Sequence, residues 1–371
     1  MYLEEIRLVN FRNYRHETLS FSSGINVFIG DNAQGKTNLL EAVHVLSTSR
    51  SHRTSSDKDL VLWGEDEGSV LGTAYASGIR HQVSIKYRIG AGKSVEINGK
   101  RVRRSSELTS VLATVVFSPE DLQIVKGSPE LRRRFLDSQL IQVSAAYRHA
   151  YREYTKALQH RNMMLRTYGP RLKRSGSDVV VWDRQITDHG SKLIFLRHKA
   201  VRQLQRLGDD TYRTVAGGTE RLNLAYLSTV TDRDEDDEEA IKEDFLSALE
   251  RTFEESIARG ITVVGPHRDD LAITINGKDT RSFASQGQQR TAVLAMKMAM
   301  LQFVEECLGD IPVLLLDDVM SELDEKRRKY LLSVVSDRVQ TFITTTSPDI
   351  GNTISDSSAV YRIEGGRATR C

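Results

Sequence analysis

The run 25-INVFIGDNAQGKT-37 constrains the chain more than any other segment. Its apolar start is a short strand, Gly30 ends that strand, and Lys36 opens 39-LLEAVHVL-46, whose apolar spacing is helical. A strand that turns through glycines straight into a helix belongs in an α/β layer. The loop itself is G-x-x-x-x-G-K-[ST] in the setting that gives this motif its meaning. Gly30 and Gly35 let the backbone bend so that successive N–H groups point inward at phosphates. The helix adds its positive N-terminal end, Lys36 suits the β- and γ-phosphates, and Thr37 suits Mg²⁺. Gly30, Asp31, Asn32, Ala33, Gln34, Gly35, Lys36 and Thr37 therefore form a candidate ATP-binding loop. The similar 90-GAGKS-94 fails the same test: Tyr87 stands where the first Gly is needed, and the segment lies in a hairpin.

Such a loop needs a second acid for the metal, and 313-VLLLDD-318 supplies one. Four consecutive apolar residues predict a strand buried on both faces, ending in two aspartates. Asp317 is the expected Mg²⁺ ligand, directly or through water. Asp318 is then placed to orient or activate an attacking water.

At 371 residues the chain has room for a sizeable core and two domains. Residues 2–9 and 17–21 are strand-like, while 69-SVLGTAYA-76, 82-QVSIKYRI-89 and 94-SVEI-97 alternate with period two. Asn98-Gly99 marks a hairpin turn, and a second INGK at 275–278 repeats that signal. Between about 119 and 261 the pattern turns helical, over 129–168, 180–207 and 239–259, with breaks near 169–178 and 208–237. Strand signals return at 261-ITVVG-265, 271-LAITI-275, 313-VLLL-316 and 340-QTFITTT-346. The segment 292-AVLAMKMAMLQFVEECL-308 reads as a long amphipathic helix with a polar start, 283-FASQGQQRT-291. The simplest organisation is one α/β domain, 1–118 and 262–371, flanking a helical insertion at 119–261. Folded into several antiparallel helices, that insertion reaches at most roughly 60 Å at ~1.5 Å per residue.

Net charge is only +2, but basic clusters (100-KRVRR-104, 132-RRR-134, 171-RLKR-174) are offset by one acidic run, 232-DRDEDDEE-239. Lys100, Arg101, Arg103, Arg104, Arg171, Lys173 and Arg174 are candidates for phosphate contacts with DNA. No base-reading motif accompanies them, so sequence-independent, salt-sensitive binding is expected. Arg132 to Arg134 either pair acids at the base of the arm or contact a partner. Two cysteines, Cys307 and Cys371, suggest neither a disulfide framework nor a metal site. The N-terminus has no apolar signal region, and no run approaches a membrane span, so the cytoplasm is the expected compartment and no membrane partner is expected.

The set 30-GDNAQGKT-37, 285-SQGQQ-289 and 317-DDVMSELD-324 resembles the Walker A, signature, Walker B and D-loop series of ABC-type ATPases. Within that class 9-VNFRNY-14, 119-PEDLQIVKGSPELRRRFLD-137, 265-GPHRDD-270 and 315-LLDDVMSELDEKRR-328 are similar to the RecF family of bacterial recombination-mediator ATPases. The resemblance implies an ABC-ATPase-like head, with a mixed sheet, a P-loop core and an antiparallel β subdomain, carrying an inserted helical arm. It implies a signature, Ser285, Gln286, Gly287, Gln288 and Gln289, that caps ATP held by a partner subunit, and a D-loop at Ser321 and Asp324. Arg12 and Asn13 resemble residues that contact nucleotide in related heads. The family implies an ATP-dependent homodimer that binds single-stranded DNA and gap junctions in duplex. It works with RecO and RecR to load RecA, and supports SOS induction. Asp318 stands where transporters carry Glu, which predicts slow hydrolysis and a molecular switch. The position of the switch His is taken by threonines, 344-TTTSP-348, and the Q-loop assignment stays open between Gln123 and 117-FSPED-121. The competing readings are an SMC-like chromosome-structural head, which predicts a long heptad coiled coil, and a transporter subunit, which predicts a catalytic Glu.

Overall fold

The computed structural model describes residues 1–102, 106–172, 179–232, 237–335, 338–347 and 358–371. The chain divides into two compact units, one of residues 1–121 with 300–371, the other of residues 122–299.

The first unit holds two sheets. An antiparallel meander comprises β1 (Tyr2–Phe11), β2 (Tyr14–Ser20), β4 (Glu67–Ala76), β5 (Ile79–Arg88), β6 (Gly92–Ile97) and β7 (Lys100–Arg101), in the order β2-β1-β4-β5-β6-β7. The second sheet comprises β3 (Ile25–Ile29), β8 (Thr114–Phe117), β12 (Val313–Asp317), β13 (Thr341–Thr345), β14 (Ala359–Glu364) and β15 (Arg367–Arg370). Its order is β15-β14-β3-β13-β12-β8, all parallel except β15. Buried runs such as VLLLD in β12 and TFITT in β13 suit a sheet covered on both faces. The helix Lys36–Thr48 contributes Leu39, Leu40, Val43 and Leu46 to one core, shared with Ile6, Leu8 and Ile85 of the meander and Leu315 and Phe342 of the parallel sheet. Burying each such side chain contributes about 1.5–3 kcal/mol. At Gly72 a Cβ would lie 2.4 Å from Leu46 Cδ1, so a larger residue there would force the Leu46 side chain to shift.

The second unit is mainly helical. Its helices include Pro129–Val143, Ala145–Tyr168, Val179–Ala216, Glu238–Arg251 and Phe253–Arg259. The longest is 38 residues, about 57 Å at ~1.5 Å per residue. The expected helical stretches are interrupted at Ser144, an N-cap that accepts from Tyr147 N, and at Thr252. A three-stranded sheet, β11 (Lys278–Asp279), β10 (Asp270–Ile275) and β9 (Leu222–Leu227), completes the unit. Strand β9 falls within the expected break at 208–237, where its LNLAYL alternation is too short to stand out. This unit runs to Ala299, beyond the 261 at which the insertion is expected to end.

Both INGK signals are hairpins. Asn98 and Gly99 have φ of 51° and 75°, and Asn276 and Gly277 have 50° and 77°, as a two-residue turn of two left-handed residues requires. The segment 261-ITVVG-265 is not a strand. Its backbone is taken by side chains: Thr262 N donates to Asn162 Oδ1 at 2.7 Å, and Gly265 N to Thr229 Oγ1 at 2.8 Å. The helix Gln286–Leu308 is not amphipathic in its setting, because every residue from Thr291 to Leu301 is buried. Thr291 and Lys297 are the polar residues of that stretch, so it has no wide face to give to water.

Candidate nucleotide site

The P-loop strand β3 ends at Ile29, and the loop is anchored from outside. Gln34 O accepts from Asn13 Nδ2 at 3.0 Å and Gly366 N at 3.1 Å, and Gly35 O accepts from Tyr14 OH at 3.0 Å. Tying carbonyls to the outer side turns amide N–H groups toward the concave side. Gly35 has φ 117°, and a Cβ there would lie 2.6 Å from Asn13 Nδ2; a Cβ on Gly30 would lie 2.3 Å from Ile363 O. Gly30 is therefore required by close approach, and Gly35 by close approach and by its positive φ. Lys36 Nζ crosses the loop and donates to the carbonyls of Gly30 and Asp31, each at 2.7 Å. Burial lowers its pKa, opposed by Asp318, Asp317 and Asp31.

In the parallel sheet β13 lies between the P-loop strand and β12, so the two motifs meet across one intervening strand. Thr37 Oγ1 donates to Asp317 Oδ1 at 2.9 Å. From β13, Thr344 Oγ1 donates to the same oxygen at 2.7 Å and accepts from Asp318 N at 2.8 Å. Asp318 has φ 52°, a left-handed conformation that costs a non-glycine residue free energy and that this bond helps hold. Its Oδ1 is buried without a hydrogen-bond partner. Burial pushes the Asp318 carboxyl up, Lys36 pulls it back, and Asp317 adds to the rise. A hydroxyl and a carboxylate in contact, an orphaned carboxylate oxygen and an ammonium held only by carbonyls together fit a phosphate chain with a divalent cation. Among the described residues no cluster of three or more His, Cys, Asp or Glu could hold a metal. A cation at Thr37 and Asp317 would complete its shell with phosphate oxygens and water.

Asn13 lies beside the loop, whereas Arg12 is engaged by Glu41 of the helix that follows it. Asn13 is bonded to Gln34 O, as above, and accepts from Asn38 Nδ2 at 2.9 Å. Arg12 donates from Nε and Nη2 to the Glu41 carboxylate at 2.8 and 2.7 Å, and from Nη1 to Asp59 O at 2.7 Å. Glu41 is fully buried. Burial would raise its carboxyl pKa, but hydrogen bonds from Arg12 and Ser51 outweigh that and hold it low. Glu41, inside a helical run, carries no sequence signal for this role. Nor does Thr344, one of three adjacent threonines. At the expected D-loop residues, Ser321 Oγ donates to Asp318 O at 2.7 Å, and Asp324 accepts from Arg327 N at 2.9 Å as a helix cap.

Ser285, Gln286, Gly287, Gln288 and Gln289 belong to the second unit. Gln288 N donates to Ser285 Oγ at 3.2 Å and Ser285 N to Gln288 Oε1 at 2.8 Å, a reciprocal capping box. Gln289 is buried and donates to Thr280 O at 3.1 Å; Ser285 and Gln286 are exposed, as is Phe283. Lys100 and Arg101 are exposed on the edge strand β7 of the first unit, and Arg171 is exposed in the second; Arg103, Arg104, Lys173 and Arg174 lie outside the described residues.

Two of the stretches that resemble the RecF family, 119–137 and 265–270, are stitched to each other. Arg132 donates from Nε and Nη2 to both oxygens of Asp270 at 2.7 and 2.8 Å, and Arg133 donates to Asp269 O at 2.7 Å. Buried Arg197 joins Asp137 Oδ1 at 2.7 Å, Tyr147 OH at 2.8 Å, Tyr226 OH at 3.2 Å and Pro266 O at 2.7 Å. Arg134 pairs with Glu130 at 3.4 Å. The 132–134 cluster thus pairs acids and carbonyls within its own unit. His267 accepts at Nδ1 from Tyr154 OH at 2.7 Å and donates from Nε2 to Thr262 O at 3.0 Å, and burial lowers its pKa to about 4.

A parallel sheet with a strand–loop–helix phosphate site, an antiparallel β layer and a helical arm define a head of the ABC/SMC type. The RecF/RecN/SMC N terminal domain family matches residues 2–369. The chain is 40% identical over 369 residues to the DNA replication and repair protein RecF of Geobacillus thermodenitrificans, covering 99% of this chain and 98% of that one. It is 39% identical over 371 residues to RecF of Bacillus subtilis, covering 99% of each. Among solved structures, the recombination mediator protein RecF with ATP in the RecFOR pathway superposes with a TM-score of 0.91 at 34% identity, covering 100% of this chain and 97% of that chain. The Smc head domain of Pyrococcus furiosus bound to the C-terminal domain of ScpA gives 0.56 at 17% identity over 100% and 96%, a likeness of fold alone. The chain belongs to the RecF family of DNA replication and repair proteins. Among the described residues no helix is long and apolar enough to cross a membrane.

Proposed function

We propose that this protein is an ATP-driven switch in DNA repair: it binds Mg²⁺-ATP, dimerises on it, and engages single-stranded DNA and gap junctions in duplex. In the cytoplasm, with RecO and RecR, it helps load RecA and supports SOS induction. The observation that carries the reading is the meeting of Lys36, Thr37, Asp317 and Asp318 at the carboxyl ends of β3 and β12 with Thr344 of β13 between them, the end of a parallel sheet where ligands bind. The similarity to a RecF structure with ATP in the RecFOR pathway supports the nucleotide and the partners. Mg²⁺ supplies charge neutralisation at the phosphates when bound. Lys36 and the loop N–H groups bind phosphate, Thr37 and Asp317 hold the cation, and Asp318 orients water. The shorter acid favours slow hydrolysis, so that nucleotide acts chiefly to set the dimer. Ser285 and its helix end cap the nucleotide of a second copy, with Ser321 and Asp324 beside that interface. Lys100, Arg101 and Arg171 are candidate DNA contacts.

Lys36→Met is expected to weaken ATP binding by roughly a hundredfold, for the loss of a charged phosphate contact, with folding intact; unchanged affinity by calorimetry removes the loop from the mechanism. Ser285→Arg is expected to leave monomer binding intact and to abolish ATP-dependent dimers in light scattering with and without gapped DNA.

A further inference from the structure

The signature is tied to the arm by side chains that the nucleotide site does not use. Gln288 is engaged at both ends of its amide. Its Oε1 accepts from Ser285 N, closing the capping box, and its Nε2 donates to Glu220 Oε1 at 2.6 Å. The other oxygen of Glu220 accepts from Tyr212 OH at 2.8 Å. Tyr212 is fully buried near the end of the helix Val179–Ala216, and Glu220 follows the turn at Gly217 and Gly218, with φ of 90° and 87°. The next residue is pinned to the second hairpin in both directions, Arg221 N to Asn276 Oδ1 and Asn276 N to Arg221 O, each at 2.9 Å. Glu220 is therefore held at a defined place between the arm helix and the signature.

The consequence lies in the Ser285 hydroxyl. With the Gln288 amide fixed, Ser285 Oγ accepts from Gln288 N, so its own proton is available to an anion at the helix end. Without an acceptor for Nε2 the amide can rotate, and the cap loses its single arrangement. We infer that Glu220 is a positioning residue for the signature: through Gln288 it holds Ser285 in the arrangement that offers a hydroxyl proton to a phosphate carried by a second copy of the chain. This rests on the cross-subunit role of Ser285 proposed above. Because one carboxylate serves both Gln288 and Tyr212, a shift of the arm helix alters how Ser285 is presented. The arm and the dimer switch share that group.

The test compares dimerisation at saturating ATP with ATP affinity of the monomer in Glu220→Ala, Glu220→Gln, Gln288→Ala and the double variant. Glu220→Ala is expected to weaken the dimer about tenfold or more, for a charge-assisted hydrogen bond lost at two equivalent sites, with monomer affinity for ATP unchanged and the melting temperature lowered only by the loss of the Tyr212 hydroxyl's acceptor. Glu220→Gln keeps an acceptor for Gln288 and is expected to stay within about twofold of the parent by the same reasoning. Gln288→Ala and the double variant should be equally weak, since Glu220 acts only through Gln288. Additive losses in the double variant, or a Glu220→Ala dimer as tight as the parent, overturn the inference. Ser285→Arg in the same series separates the two readings: a dimer that survives it sinks the cross-subunit role itself. If Glu220→Ala fails to fold, Tyr212→Phe with Glu220→Gln decides instead, because dimerisation unchanged in both the Phe variant and the Tyr212→Phe/Glu220→Gln pair would break the link to the arm, and a joint weakening would support it.

Discussion

Lys36 and Arg197 are both buried cations, one in each unit, and they are held in opposite ways. Lys36 has two carbonyls of its own loop, with an unpartnered carboxylate oxygen of Asp318 nearby in the same site. Arg197 is enclosed by a carboxylate, two phenols and a carbonyl. The first arrangement leaves bonding capacity for a ligand; the second closes on itself and welds helices to the loop 265-GPHRDD-270. A charged, highly specific stretch can therefore be structural, while the more generic glycine loop keeps bonding capacity to spare.

The sharpest way to break that contrast is Arg197→Met. It leaves the Asp137 carboxylate buried without its cation, and is expected to lower stability by about 3–5 kcal/mol, seen as a fall in the denaturant midpoint, with nucleotide affinity of the folded fraction unchanged. Equal damage to both properties would dissolve the distinction. A somewhat smaller effect is expected from acid. His267 has its pKa lowered to about 4 in the fold against an ordinary value near 6.5, so the unfolded chain binds the extra proton between those values. Its contribution is complete above about pH 6.5 and is lost as pH falls through about 4, a change of about 3 kcal/mol over that window. His267→Gln, which can keep an acceptor and a donor, should flatten this part of the stability–pH curve; a slope identical to the parent's would assign the acid sensitivity elsewhere. Smallest is Thr344→Val, expected to cost about 1–2 kcal/mol for two lost hydrogen bonds in a close-packed site. It should reduce ATP turnover more than ATP affinity, and Thr344→Ser should restore both. A larger loss from affinity than from turnover would place Thr344 with the binding loop instead.

Much of this was legible from residues. The strand–loop–helix at 25–37, the buried run before Asp317 and both Asn-Gly turns follow from local chemistry that needs no tertiary information. What stayed hidden depends on strand order. Thr344 matters because β13 lies between β3 and β12, and no local pattern distinguishes it from Thr345 and Thr346. Strand β9 is hidden because its LNLAYL alternation is short, and 261-ITVVG-265 has a strand's pattern although side chains, rather than another strand, bond its backbone. Arg132 to Arg134 look like a solvated basic patch until Asp270 and the Asp269 carbonyl are seen beside them.

The order of strands in the parallel sheet also bears on synthesis. The P-loop strand β3 is made long before its two neighbours, β13 and β14. On a ribosome, Ile25–Ile29 and the loop after it lack both neighbouring strands until Thr341–Thr345 and Ala359–Glu364 have emerged. A nascent chain therefore carries the phosphate loop without a finished site, and the long-range pairing that completes it is slow to form. Nucleotide can select only molecules in which β3 has already met β13 and β14.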